Sequence, residues 1–192
     1  MKQQDIAALF SQIADLLEYR SDNPFRIRAY RRAAQHLERF SGDLEALAHA
    51  GRLKEVSGIG TDLAEKITEY LSTGTVAALE RLRHAVPPGV LHLLDIPGVG
   101  PKSAKVLVER LHVDSIDQLE QAIHAHRVAS LPGFGAQKER NILKGIEIVK
   151  QGRARMHLGI ALPLANELMT FLQRLPGVTR VSTAGSLRRM KE

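Results

Sequence analysis

The chain contains no cysteine among its 192 residues. Neither a disulfide framework nor a thiolate metal site can therefore be built, and a reducing, intracellular setting is the natural expectation. No apolar run approaches the roughly 18 residues that a membrane span requires. The opening stretch, MKQQDIAALFSQ, lacks the apolar core of a signal peptide. A cytoplasmic protein without a membrane partner is expected. The 8 histidines show no metal-ligand spacing. His124 and His126, two apart, would point to different sides of a helix.

What is present is an ordinary apolar fraction, 44%, and an excess of basic groups: net charge +6 and a pI near 9.8. Such a balance suits a polyanion-binding surface. The excess lies late in the chain, since residues 131–192 hold 11 basic and 4 acidic side chains. A second, local cluster, Arg20, Arg26, Arg28, Arg31 and Arg32, is opposed only by Asp22.

Helical periodicity dominates. Ile6, Leu9, Phe10, Ile13, Leu16 and Leu17 make one amphipathic helix. Asn23 can cap a second, with Pro24 in its first position and Ile27, Tyr30, Ala34 and Leu37 on its apolar face. Short helices are predicted over 43–49, 76–84, 89–94 and 115–125. Beyond Gly152 a helix over about 162–174 is followed by Val178 to Ala184, whose Val and Thr content reads as a strand.

One five-residue shape occurs three times, as VSGIG (56–60), IPGVG (96–100) and LPGFG (131–135). Each precedes a predicted helix: 61–71, 101–111 and 136–150. A Gly-apolar-Gly turn feeding a helix N-terminus gathers unpaired backbone amides, and its glycines remove the side chains that would keep a phosphate away. Contacts of that kind hold a nucleic-acid backbone without reading bases. A single copy is equally a tight helix-helix turn with its apolar residues in the core.

These hairpins resemble helix-hairpin-helix DNA-binding motifs. The stretches NPFRIRAYRRAAQHLE and VSGIGTDLAEKITEYLSTG resemble the N-terminal lyase-type domain of family X DNA polymerases. LLDIPGVGPKSA is similar to that family's fingers hairpin, and AGSLRRMKE to the motif that opens its palm. The bacterial form, with its third hairpin, fits best. The implied fold is mainly all-α, with helix-hairpin-helix domains and a short C-terminal α/β piece. A lyase-type domain is expected over 1–84, fingers over 85–152, and the start of a nucleotidyltransferase palm over 153–192, the last stable only if packed on the fingers.

The resemblance implies a gap-filling base excision repair polymerase that binds gapped or nicked DNA and its 5′-phosphate end as a monomer. It places phosphate or DNA contacts at Phe25, Arg26, Tyr30, Gly58, Gly60, Gly98, Gly100, Lys102, Gly133 and Gly135. A monovalent cation, sodium or potassium, is implied at the carbonyls of Lys54, Val56 and Ile59 and of Leu94, Ile96 and Val99. Ser186 and Arg189 match nucleotide-contacting palm residues. The family's magnesium-binding aspartates lie past Glu192, so this chain is expected not to polymerise by itself.

Lys66 matches the lysine that attacks a 5′-deoxyribose phosphate to form a Schiff base, chemistry that needs a neutral amine. Asp62, four residues earlier on the same face, favours the charged form and stands where lyase-active relatives carry a phosphate-holding lysine. The plain alternative for Lys66 is a solvated lysine paired with Asp62; for Tyr30 it is core packing. Two other readings compete for the chain as a whole. One is a non-enzymatic hairpin module of a junction or excision-repair protein. The other, drawn from Lys102 and Asp114, is a helix-hairpin-helix DNA glycosylase.

Overall fold

The structure is a computed structural model that describes residues 2–154, 158–174, 178 and 181–183; side chains of 153–162 are not described. Ten α-helices follow one another among these residues: α1 (Lys2–Tyr19), α2 (Pro24–Arg39), α3 (Leu44–His49), α4 (Thr61–Thr73), α5 (Ala77–His84), α6 (Pro88–Leu94), α7 (Pro101–Leu111), α8 (Ile116–His124), α9 (Gly135–Ala154) and α10 (Leu158–Gln173). A 3₁₀ turn, Leu53–Glu55, leads into the first hairpin. The expectation of a mainly all-α chain holds among the described residues. The strand foreseen over 178–184 lies largely outside the described residues, and positions 178 and 181–183 are not in a strand.

The chain divides into two compact units, residues 1–144 and 145–192. In the first, α1 is the central element and packs on α2, α5 and α7. It can do so because both flanks of its apolar stripe are used: Ile6, Phe10, Ile13, Leu16 and Leu17 are all essentially solvent-free. From α2, Tyr30, Ala33, Ala34 and Leu37 complete this core, with Phe10 and Tyr30 meeting edge to face at 5.5 Å. The α1–α2 corner is fixed by Asn23, whose Oδ1 accepts from Phe25 N at 2.8 Å. Arg31 of α2 reaches back to Asp15 and Glu18 of α1.

Gly89 of α6 is a glycine of necessity. A Cβ there would come within 1.6 Å of the Asp114 carbonyl oxygen, so α6 sits flush on the segment before α8. In the second unit α10 runs through Pro163 and begins four residues ahead of the stretch predicted from sequence. Leu164, Leu168 and Phe171, at helical spacing, are exposed there.

Candidate nucleic-acid interface

The first two hairpins have the same construction. Gly58 (φ +82°) and Gly98 (φ +91°) take the left-handed turn that L side chains avoid. The turn closes through Ile59 N–H to the Val56 carbonyl at 3.0 Å, and through Val99 N–H to the Ile96 carbonyl at 2.9 Å. Val56, Ile59, Ile96 and Val99 are buried, so the apolar positions pin the turn to the core while the glycines face solvent.

Gly60 and Gly100 then serve as N-caps of α4 and α7, at φ −87° and −83°, with extended ψ values of −177° and 173°. No side chain caps either helix. The first-turn amides, which no intrahelical carbonyl can satisfy, are thus left open at the surface with the positive end of the helix dipole behind them. Around Gly60 and Gly100 a Cβ would meet nothing within 4 Å.

The third hairpin differs. Its turn closes alike, Phe134 N–H to the Leu131 carbonyl at 3.1 Å, and Gly133 is left-handed at φ +78°. Gly135, however, is also left-handed, φ +68°, and α9 starts at that residue without an extended glycine before it. Lys138 lies 4.0 Å over the ring of the hairpin's own Phe134. Glu139, 5% exposed, accepts from Ala129 N at 2.7 Å and meets His126 Nδ1 at 3.0 Å, tying the preceding loop to α9.

Of the residues expected at the 5′-phosphate pocket, Phe25 is 75% exposed at the start of α2, with the Arg28 guanidinium 4.6 Å over its ring. Arg26 is half exposed and 3.6 Å from Asp22. Lys66, only 14% exposed in its side chain, is bonded through Nζ to the Asp62 carboxylate and, at 3.3 Å, to the Asp62 backbone carbonyl. Tyr30 is in the core. Its hydroxyl is buried and makes no hydrogen bond of acceptable geometry, although Lys66 lies near enough to act on it. Burial pushes this phenol above its ordinary value, and the Lys66 charge pulls the other way. Lys102, in the first turn of α7, is exposed and 3.9 Å from Glu18.

The carbonyls named for a monovalent cation fit such an ion in kind. They are neutral oxygens, and those of Val56 and Ile96 each keep a second lone pair beyond the one turn hydrogen bond they accept. Ser186 and Arg189 lie outside the described residues.

Comparison with known proteins defines the class. Residues 1–76 match the model of the helix-hairpin-helix domain, and residues 90–147 that of the SAM-like helix-hairpin-helix tandem. The chain thus carries helix-hairpin-helix domains, a DNA-binding class, over most of its length. It is also 35% identical, over all 192 of its residues, to the DNA polymerase/3'-5' exonuclease PolX of Bacillus subtilis (strain 168). The chain spans about a third, 33%, of that relative's length. The resemblance to the family X DNA polymerases is shown along the whole of this chain, by comparison as well as by motif.

Sequence reasoning missed two features. Gly135 carries the same letter as Gly60 and Gly100 but not their backbone. The carboxylate that organises the third hairpin, Glu139, carries no signal in sequence beyond being an acid near a helix start.

Proposed function

We propose that this chain is the DNA-positioning part of a gap-filling base excision repair polymerase. In this reading it is a cytoplasmic monomer that grips the DNA backbone on either side of a gap through its first two hairpins. One observation carries the reading. Gly58 and Gly98 are explained by their own left-handed φ, but Gly60 and Gly100 have ordinary backbone angles and open space where a Cβ would stand. Nothing inside the protein asks for glycine at these two positions. An oxygen-rich backbone approaching the uncapped amides of α4 and α7 does.

Charge assigns different strengths to the two clamps. Lys102 adds a cation to the second, whereas Asp62 places a carboxylate in the first turn of α4, partly offset by Lys66. The hairpin carbonyls would hold a monovalent cation, whose charge would face the bound phosphates. Phe25 and Arg26 would receive the 5′-phosphorylated end, the ring for stacking and the guanidinium for charge. The similarity to the Bacillus relative, named a DNA polymerase, supports assigning this chain to the handling of polymerase substrates.

For lyase chemistry the supporting residue is Lys66, and its amine is engaged twice by Asp62. The reading is therefore of a chain that binds the 5′-phosphate without excising the sugar. Equilibrium binding to a gapped duplex with and without the 5′-phosphate, at a series of salt concentrations, tests the function. Tighter binding of the phosphorylated gap, with a log-log salt slope of about −0.9 per phosphate held, is expected. Equal affinity for the two ends would remove the 5′-phosphate assignment, and salt-independent binding would remove the clamps.

A further inference from the structure

We infer that His36 is a positioning residue for DNA binding: it holds the turn of the first hairpin in shape, the task that a proline performs in the other two. The inference rests on the clamp reading above and adds to it the residue that sets one of the clamps.

The three turns differ in sequence at one place. Their second residue is Ser57 in the first hairpin, Pro97 in the second and Pro132 in the third. Each turn closes from its fourth residue to its first and carries a left-handed glycine third, Gly58, Gly98 or Gly133, which is the type II pattern. Proline suits the second position because its ring locks φ where such a turn needs it. Serine brings no such restraint, and the peptide between residues 57 and 58 is the one that rotates when a turn changes type.

His36 supplies the missing restraint. From α2 its Nδ1 lies 2.5 Å from the Ser57 carbonyl oxygen. A carbonyl can only accept, so Nδ1 carries the proton, as it does in the charged ring and in one neutral tautomer. Because the peptide is planar, pinning that oxygen also fixes the direction of the Gly58 N–H. The ring is close enough to need a glycine beside it: a Cβ on Gly58 would come within 2.9 Å of His36 Nδ1. Beside Gly98 and Gly133 a Cβ would meet nothing within 4 Å. A side chain thus packs on the one turn that has no proline.

The first turn could also accept the proline it lacks. Val56, at φ −73° and ψ 123°, is already in the region required of a residue before proline. The Ser57 N–H makes no hydrogen bond among the described residues, so proline there would forfeit none. The histidine and a proline should therefore be interchangeable.

The test measures fluorescence anisotropy on a 5′-phosphorylated gapped duplex with the full chain, His36→Ala, His36→Asn, Ser57→Pro and the His36→Ala/Ser57→Pro double variant. Amide spectra of the same proteins without DNA are recorded by nuclear magnetic resonance. His36→Ala is expected to lose about fivefold in affinity, the worth of one hydrogen bond. Its Gly58 to Gly60 amides should move while those of Gly98 and Gly100 stay in place. His36→Asn, whose side-chain amide can donate in place of Nδ1, and the double variant should both bind within about twofold of the native chain. Ser57→Pro alone should match the native chain.

Unchanged affinity and unmoved amides in His36→Ala would overturn the inference. So would a loss that neither His36→Asn nor the added Ser57→Pro recovers, because the ring would then act on DNA directly and not through the turn. A native chain that binds no gapped duplex would overturn the clamp reading and the DNA role of His36 with it, while the amides of the free proteins would still decide whether His36 holds the turn.

Discussion

The first and second hairpins differ from the third in the φ of their last glycine, and that angle separates two explanations of a glycine. Gly60 and Gly100 adopt backbone conformations open to any residue, so their side-chain-free state makes sense only with respect to something outside the protein. Gly135 sits at φ +68°, where the backbone itself selects glycine. The same five-residue shape therefore makes two surfaces ready for a ligand and one turn whose glycines are explained internally. The neighbouring groups agree. Lys102 stands exposed beside the second hairpin, while Lys138 lies over Phe134 and a buried Glu139 braces the third.

The contrast can be broken by substitution. Serine at both N-caps, Gly60→Ser with Gly100→Ser, would have its hydroxyls accept from the amides that a phosphate would use. With each charge-assisted bond worth about 1.5–3 kcal/mol, affinity for gapped DNA should fall by about a hundredfold or more. Thermal stability should stay level or rise slightly, because serine is at least as good an N-cap as glycine. Loss of stability in parallel with binding would mean that these glycines serve the fold after all.

The converse substitution is Gly135→Ala. It should cost about 1–2 kcal/mol of stability, read as a lowered denaturation midpoint, because alanine must enter the left-handed region. DNA affinity should move by less than about threefold. A large affinity loss at unchanged stability would put the third hairpin in the same class as the other two.

A third prediction sharpens the first hairpin alone. The native chain should give no borohydride-trapped adduct with a 5′-deoxyribose phosphate end, because Lys66 is held by Asp62. Asp62→Ala frees the amine and removes a like charge from the phosphate site, so it should tighten 5′-phosphate binding by a few-fold and allow trapping that Lys66→Ala abolishes. A strong native adduct would show that the ion pair is no barrier to the chemistry. The smallest effect is expected at Tyr30→Phe, beneath the same hairpin. Deleting a buried hydroxyl without a hydrogen bond should leave stability unchanged or raise it by up to about 1 kcal/mol, measured by chemical denaturation. A clear loss would indicate that the hydroxyl has a partner, with Lys66 the first candidate.

Much of this was legible in the sequence because the determinants are local. The apolar stripe of α1, the Asn23–Pro24 start of α2 and the Gly-x-Gly turns are set by neighbours within a few residues, and the helices stand close to where periodicity places them. Tyr30, on the apolar stripe of α2, could be read as a core residue and is one. The rest depends on contacts between distant segments. The contacts around Gly135, with Lys138 over Phe134 and Glu139 bonded to the loop at 126–129, are not marked by any periodicity in the sequence. Arg28 and Arg31 of α2 line one cleft with Lys102 and Lys105 of α7, and the sequence offered these two halves only as an arginine cluster and a hairpin lysine. The helix expected from about residue 162 begins at Leu158 and passes through Pro163.

The most direct test of the clamp assignment is to follow the backbone amides by nuclear magnetic resonance as gapped DNA is added. Large shifts are expected at Gly60 to Leu63 and at Gly100, Lys102 and Ser103, with the amides of Gly135 to Gln137 left near their free positions. Equal shifts at all three helix starts, or shifts confined to the third, would contradict it.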